Sequence, residues 1–209
     1  MRGYLVVMIA LDIETSGLDP ERTSILSIGA LDTDNLSDQF YGECQVWNGA
    51  EITDEALAIN GFTKEQAVDS AKKTEAELIQ EFASWVTKVS GGGVVRDTTI
   101  VGQNSSFDRD FVRAACRRAG VKFPFGHRTI DTHSLVWLHM IQKGVTPPTK
   151  YGSSSLSLTA ALEYCGLPEE LKPHNALNGA YAHAEVFSRI AYNKKMLEIY
   201  SSFEIPWYA

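Results

Sequence analysis

The sequence predicts an α/β or α+β domain in which helices flank a mixed β-sheet. Three short apolar segments near the N-terminus have the composition of strands, and the rest of the chain combines one more strand with helical patterns. Strands first, followed by strand–helix alternation, are typical of a mixed sheet. With 209 residues, 44% of them hydrophobic, the chain is long enough to bury one sizeable core.

The N-terminal strands are predicted over residues 4–12, 25–31 and 38–46, which are segments of ordinary strand length. Residues 32–35 read Asp-Thr-Asp-Asn, which is turn chemistry. The second and third strands are therefore expected to be antiparallel neighbours. A further strand is predicted over residues 98–101.

Apolar residues at helical spacing predict the helices. Residues 74–77 form a capping-box pattern, and a helix is predicted to follow them. Further helices are predicted over residues 108–119, 132–140, 156–164 and 176–192. Residues 143–155 are rich in Gly, Pro and Ser, which predicts a loop.

Residues 1–195 are predicted to form a single domain, and residues 196–209 an aromatic-rich C-terminal tail. The tail contains Tyr200, Phe203 and Trp207. It is expected to pack on the body of the domain or on a partner subunit.

Charge and cysteine content narrow the functional classes. The net charge of −7 argues against a protein that coats nucleic acid without specificity, although it permits a basic patch beside an acidic metal site. Three cysteines without CxxC spacing indicate neither a disulfide framework nor a zinc site, so a reducing, cytoplasmic environment is expected. No apolar stretch is long enough to span a bilayer, and no membrane partner is expected.

Asp12 and Glu14 are two residues apart at the end of the first predicted strand. Strand geometry points both carboxylates to the same face, where they repel each other unless a positive charge lies between them. A hard divalent cation such as Mg²⁺ or Mn²⁺ prefers such oxygen ligands. The alternative is that the two acids only cap the strand end, so this segment by itself leaves the metal site open.

Two further segments hold candidate residues. Asp108 begins a predicted helix just after a strand and a polar turn, where an acid also complements the helix dipole. His174 precedes an apolar helix, where a surface role or a capping role is equally compatible with the pattern. Neither residue indicates catalysis when it is considered alone.

Together the three segments resemble the DEDDh family of 3′→5′ exonucleases, which includes proofreading exonucleases, ribonuclease T and oligoribonuclease. The sequence from Asp12 to Leu18 is similar to the first family motif, and Asn104 to Phe111 is similar to the second. His174 to Leu177 matches the opening of the third. The resemblance covers about residues 8–190 and implies a ribonuclease-H-like fold, a mixed β-sheet flanked by α-helices.

The resemblance implies hydrolysis of the terminal phosphodiester by two metal ions, Mg²⁺ or Mn²⁺. It assigns Asp12 to both metals, Glu14 to the metal that activates water, and Asp108 to the second metal. His174 is implied to take the proton from the attacking water. These four residues are the implied catalytic group, and the three acids are the implied metal ligands.

The resemblance also implies a substrate and its contacts. The implied substrate is the 3′ end of single-stranded DNA or RNA, and the product is a nucleoside monophosphate. The Thr15 backbone would meet the 3′-hydroxyl, and Leu18 would wedge against the last base. Asn104 and Phe107 of the second motif are further substrate-binding candidates, although Phe107 is favoured as a core residue. Relatives also suggest a homodimer or a polymerase partner.

One position departs from the family pattern. The third motif has Asp five residues after its His, but this sequence has Gly179 there. A direct ligand of the water-activating metal is therefore missing, and weak or absent hydrolysis is expected. His183 shares the helical face of Gly179 and is a candidate replacement, although imidazole is a poorer partner for Mg²⁺ than carboxylate.

Three explanations of Gly179 stay open: an introduced substitution, a naturally degenerate enzyme, or a rearranged metal site. Three functions also stay open: a 3′→5′ exonuclease that is impaired at this position, a catalytically inactive nucleic-acid- or nucleotide-binding module, and a proofreading subunit that holds a polymerase. Metal-dependent release of mononucleotides distinguishes the first from the second. Co-purification with a much larger partner would favour the third.

Overall fold

A mixed five-stranded sheet forms the centre of the protein. The computed structural model describes residues 7–91, 98–170 and 174–208. The strands have the spatial order β3-β2-β1-β4-β5. They are β1 (Val7–Thr15), β2 (Ile25–Asp32), β3 (Gln39–Glu43), β4 (Thr98–Gly102) and β5 (Thr129–Asp131). The central strand β1 is antiparallel to β2 and parallel to β4, which confirms the predicted mixed sheet.

The strand bounds differ from the predictions in ways that pairing explains. β1 continues past Asp12 to Thr15, because Glu14 still pairs with Ser27 of β2 before the register shifts at Thr15. Residues 4–6 of the predicted first strand lie outside the described residues. β3 is shorter than predicted, and β5 was not predicted because it has only three residues.

Seven α-helices are described. They are α1 (Asp54–Asn60), α2 (Lys64–Ala67), α3 (Glu75–Val89), α4 (Ser106–Ala119), α5 (Thr132–Gln142), α6 (Leu158–Tyr164) and α7 (Ala176–Tyr192). The capping box before α3 is confirmed, since the Thr74 and Glu77 side chains each accept from the other residue's backbone N–H. The short helices α1 and α2 were not predicted.

The predicted loop over residues 143–155 contains a small hairpin, so the prediction is wrong for these few residues. Its strands are β6 (Thr149–Lys150) and β7 (Ser153–Ser154). Each strand has only two exposed residues, which leaves no apolar alternation for a sequence pattern to detect.

Helices cover both faces of the sheet. Alternate residues of β1, among them Ile9, Leu11 and Ile13, pack with α3 and α4 in the largest apolar cluster. α7 lies across β1 and β2 on the other face, where Ala10 packs with Ala184. Both faces of β1 are therefore covered.

None of the described helices is long and apolar enough to cross a membrane.

The start of α7 comes unusually close to β2. A Cβ atom on Gly29 would overlap the backbone of Ala176 and Leu177. Gly29 is the register partner of Asp12 on the neighbouring strand. The glycine therefore lets the first turn of α7 lie directly beside the predicted metal-binding strand.

The C-terminal tail packs on the body of the domain through a buried ion pair. Arg189 of α7 is fully buried and donates through Nε to Glu185 Oε1 at 2.8 Å. Its other nitrogens donate to backbone oxygens of Cys165, Tyr200, Phe203 and Glu204. Glu185 Oε2 accepts from the N–H groups of Met196 and Leu197, so the pair fixes both ends of the tail. The domain boundary at residue 195 stays a prediction.

We expect Gly29→Ala to destabilise the protein by about 1–3 kcal/mol or more, because the added methyl group meets backbone rather than a side chain that can move. The measurement is the free energy of unfolding in urea. Ser27→Ala is the matched control on the same strand, because Ser27 is buried and its hydroxyl has no hydrogen-bond partner. Equal stability of Gly29→Ala and Ser27→Ala would contradict the close approach.

Candidate active site

Two of the predicted carboxylates lie on the central strand. Asp12 and Glu14 alternate with the core residues Leu11 and Ile13, so their side chains point to the α7 side of the sheet. Glu14 is largely buried, whereas Asp12 keeps about a fifth of its side chain exposed. The polar positions of this strand therefore face α7 and not the main core.

Asp108 reaches the same strand from α4. β4 pairs with β1 only as far as Ala10, which leaves the later edge of β1 open. Asp108 lies in the first turn of α4 and is 4% exposed. Burial raises its pKa, and the nearby backbone N–H of Ile13 offsets part of that increase. The same N–H lowers the pKa of Asp12. The structure thus brings Asp12 and Asp108 to one backbone group.

Burial and mutual repulsion raise the pKa values of this cluster. Burial raises the pKa of Asp12 well above its usual range, and the charges of Asp108, Glu14 and Glu170 raise it further. Burial also raises the pKa of Asp108. The pKa of Glu14 rises to about 8 through burial and the charge of Glu170. Carboxyls held close together in this way favour protonation or a bound cation.

The donor set suits a hard divalent cation, which prefers carboxylate oxygens. In residues 7–91, 98–170 and 174–208, no three His, Cys, Asp or Glu side chains already converge at metal-ligand spacing. Repulsion between like charges is a sufficient physical reason for that separation. Buried carboxyls with raised pKa values nevertheless fit a cation that would offset their charge.

Gly179 lies directly against Asp12. A Cβ atom on Gly179 would overlap Asp12 Oδ2 and lie 2.5 Å from its Cγ. The carboxylate of Asp12 therefore occupies the space into which a side chain at position 179 would extend. The family position that the sequence leaves without an acid is thus at the predicted metal site, and glycine there permits close contact between α7 and β1.

His174 precedes α7 and has an acidic partner that the sequence interpretation missed. Its Nδ1 lies 3.1 Å from Glu170 Oε2. A carboxylate can only accept, so Nδ1–H donates to it and Nε2 is left free to take a proton. In the sequence, Glu170 is distinguished only by its position four residues before His174. That spacing does not indicate a pair by itself, and the contact becomes evident only in the structure.

His183 lies beneath Asp12. Its Nδ1 donates to the Leu11 carbonyl oxygen at 2.9 Å, and its Nε2 is 4.0 Å from Asp12 Oδ1. Burial lowers the pKa of His183 to about 4, so the ring is neutral at pH 7. The ring is 2% exposed and close to Gly102 of β4. These contacts favour a support for Asp12 over a replacement for the missing carboxylate.

The predicted substrate contacts Thr15 and Leu18 follow the carboxylates. The backbone oxygen of Thr15 accepts from Asn60 Nδ2 at 2.9 Å, and its hydroxyl donates to the Gly17 oxygen. Leu18 is 81% exposed, so its apolar side chain is open to contact by a ligand. This placement is compatible with contact to the 3′ end of a nucleic acid. The roles of Thr15 and Leu18 as substrate contacts stay predictions.

Asn104 and Phe107 lie on the turn into α4. Asn104 has a left-handed backbone with φ 54° and donates its N–H to Asp131 Oδ1. Phe107 is half-buried against the main core and its ring centroid lies 4.8 Å from that of Phe111. The packing of Phe107 accords with a core role, and a substrate contact by either residue stays a prediction.

A ribonuclease-H-like mixed sheet with acids gathered at the end of its central strand defines the class of protein. The chain belongs to the exonuclease family: residues 9–187 match the profile described as Exonuclease, RNase_T. It is 30% identical over 201 residues to ribonuclease T of Marinobacter nauticus, which covers 90% of this chain and 83% of that protein. It is 29% identical over 194 residues to the 3′-5′ DNA exonuclease Cap18 of Escherichia coli, covering 91% and 94%.

Solved structures share the fold. E. coli exonuclease I in complex with a dT13 oligonucleotide superposes with a TM-score of 0.66 at 20% identity, over 88% of this chain and 41% of that one. The cell-death related nuclease CRN-4 superposes with a TM-score of 0.66 at 15% identity, over 92% and 66%. The chain thus spans about two fifths of the length of exonuclease I.

We expect the raised pKa of Glu14 to make the metal-free protein less stable as pH rises. Below an unfolded-state pKa of about 4.3 both states are protonated. Between that value and the folded pKa of about 8, the unfolded state ionises first and stability is lost. Glu14→Gln removes this loss, so its stability relative to the unmodified chain should increase between pH 5 and pH 8.

The measurement is the unfolding midpoint in EDTA at a series of pH values. Glu55→Gln is the control, because Glu55 is an exposed glutamate in the first turn of α1. Parallel pH dependence of Glu14→Gln and the unmodified chain would show that Glu14 does not carry the perturbed titration.

Proposed function

We propose that this chain is a 3′→5′ exonuclease that hydrolyses the terminal phosphodiester bond of single-stranded nucleic acid. The observation that carries the proposal is the approach of Asp12, Glu14 and Asp108 to one another in a member of the exonuclease family. The names of relatives, ribonuclease T and a 3′-5′ DNA exonuclease, support the reaction type. Single-stranded oligonucleotides bound to structural neighbours support the substrate form.

Asp12, Glu14 and Asp108 would hold two Mg²⁺ or Mn²⁺ ions. The cations, when bound, would polarise the phosphodiester and stabilise the charge of the attacking and leaving oxygens. His174 would accept a proton at Nε2, since its Nδ1–H is directed to Glu170. Thr15 and Leu18 would position the strand end beside the carboxylates. A terminal base must enter this cleft, so an unpaired end is favoured over a duplex end, which must first be opened.

Hydrolysis by this chain is expected to be impaired, because Gly179 supplies no carboxylate where the family pattern has Asp. A catalytically inactive nucleic-acid-binding module is the second candidate, and the contact between Gly179 and Asp12 is the observation that favours it. A homodimer, a polymerase partner and a cytoplasmic location stay proposals. The burial of all three cysteines as free thiols accords with a reducing compartment.

The decisive experiment is digestion of 5′-labelled single-stranded DNA and RNA of matched sequence in Mn²⁺, with the blunt duplex as a third substrate. We expect ladders that shorten from the 3′ end, slower for the duplex. In an active background such as Gly179→Asp, His174→Ala should lower the turnover rate by roughly 10²–10⁴ with little change in substrate affinity, because it removes a proton acceptor and not a binding contact.

His127→Ala is the matched control, because His127 is exposed and belongs to none of the three family motifs. Equal turnover of His174→Ala and His127→Ala would assign the proton acceptor to another group. Binding of labelled single strands without any mononucleotide release, in the unmodified chain, would favour the inactive module.

We expect Gly179→Asp to increase the hydrolysis rate by 10²-fold or more, since misplacement of an attacking group by about 1 Å costs roughly 10²-fold. The new side chain must displace the Asp12 carboxylate, so the metal-free variant should be less stable than the unmodified chain. Mn²⁺ should reverse this difference. Rates come from the labelled-strand assay and stability from thermal unfolding with and without Mn²⁺.

Asn178→Asp is the control for added charge, because it places the same carboxylate one helix position away, on another face. If the unmodified chain already degrades single strands as fast as Gly179→Asp, another group has taken the place of the missing ligand and the expected impairment is wrong.

A further inference from the structure

Glu170 has a buried carboxylate, and one of its two oxygens has no hydrogen-bond partner among the residues that the structure describes. Its side chain is 9% exposed, and Oε2 accepts from His174 Nδ1. Oε1 is buried and makes no hydrogen bond to the residues that the structure describes. A buried acceptor without a hydrogen bond destabilises the folded protein, and a charged one does so more strongly, so a ligand that pairs with this oxygen would be favourable.

Glu170 belongs to the same cleft as the strand carboxylates. His174, which it contacts, directly precedes the first turn of α7, and that turn lies on Gly29 beside Asp12. The charge of Glu170 also raises the pKa values of Asp12 and Glu14, which accords with this placement. Glu170 is therefore joined, through His174 and the first turn of α7, to the region where a cation would offset several negative charges.

We propose that Glu170 supplies the carboxylate that position 179 lacks, with Oε1 directed to a divalent cation and Oε2 holding His174. This inference rests on the metal site of the proposed function. It restores four carboxylates to the site: Asp12, Glu14, Asp108 and Glu170. Carboxylate is the ligand that Mg²⁺ and Mn²⁺ prefer, so Glu170 is a better substitute than the imidazole of His183.

Glu170 approaches the metal site from a different direction than an acid at position 179 would. An acid at position 179 would extend from α7 straight onto Asp12, whereas Glu170 reaches the cleft from the segment before the helix. A cation held in this way keeps its charge balance, but the water that it activates is held at a different position. Retained metal affinity and slow hydrolysis are therefore compatible in this chain.

The test is Mn²⁺ binding by the full chain, followed at pH 8 through the electron paramagnetic resonance signal of free Mn²⁺. Glu170→Gln has the same shape without the charge and should weaken Mn²⁺ binding at least about 10-fold. Glu169→Gln is the matched control, because Glu169 is exposed and adjacent, and it should bind as the unmodified chain does. Without metal, Glu170→Gln should unfold at the same or a higher temperature, since it removes a repelling charge from the cluster.

The same titration in a His174→Ala background separates a ligand from a residue that only positions His174. A ligand role predicts that Glu170→Gln weakens binding in that background as well. Loss of the effect there, or equal Mn²⁺ affinity of Glu170→Gln and Glu169→Gln, overturns the inference.

Asp12→Asn separates this inference from the proposed function. If Asp12→Asn abolishes Mn²⁺ binding while Glu170→Gln leaves it unchanged, the metal site stands and the role of Glu170 is wrong. If the unmodified chain shows no saturable Mn²⁺ binding, both the inference and the metal-dependent function are overturned.

Discussion

The close packing of α7 on β1 and β2 is the constraint on which the cleft depends. Gly29 accepts the backbone of the first helical turn, and Gly179 accepts the carboxylate of Asp12 one turn later. Two positions without side chains thus let the start of α7 lie against the strand that carries Asp12. Interiors are packed too densely to absorb a methyl group at such a contact without a shift of the helix.

That packing also concentrates charge that the protein does not neutralise by itself. Asp12, Asp108 and Glu14 have raised pKa values because they are withdrawn from water and face like charges. Perturbed carboxyls in a cleft are more typical of a functional site than of a structural ion pair. Arg118 and Glu75 illustrate the contrast on the far side of the sheet, where a largely buried glutamate is paired directly with a guanidinium.

The sequence predicted the elements with strong patterns and missed those that depend on tertiary contact. The capping box at Thr74 and the long apolar face of α7 are local, so they could be predicted from spacing alone. The three-residue strand β5 exists only because β4 pairs with it. The motif residues Asp12 and Asp108 could be placed in one cleft through family resemblance, but Glu170 could not, because its role depends on a contact with His174 and on an oxygen without a partner.

The Arg189–Glu185 pair links the tail to the same helix that begins at the cleft. Its guanidinium is buried and donates to the carbonyl oxygens of Tyr200, Phe203 and Glu204, so releasing the tail would leave part of this buried charged group without hydrogen-bond partners. α7 and the tail should therefore open and close as one cooperative unit, with amide hydrogens that exchange at a common slow rate. The Arg189–Glu185 pair, about 15 residues after His174, therefore suppresses fraying at the C-terminal end of α7.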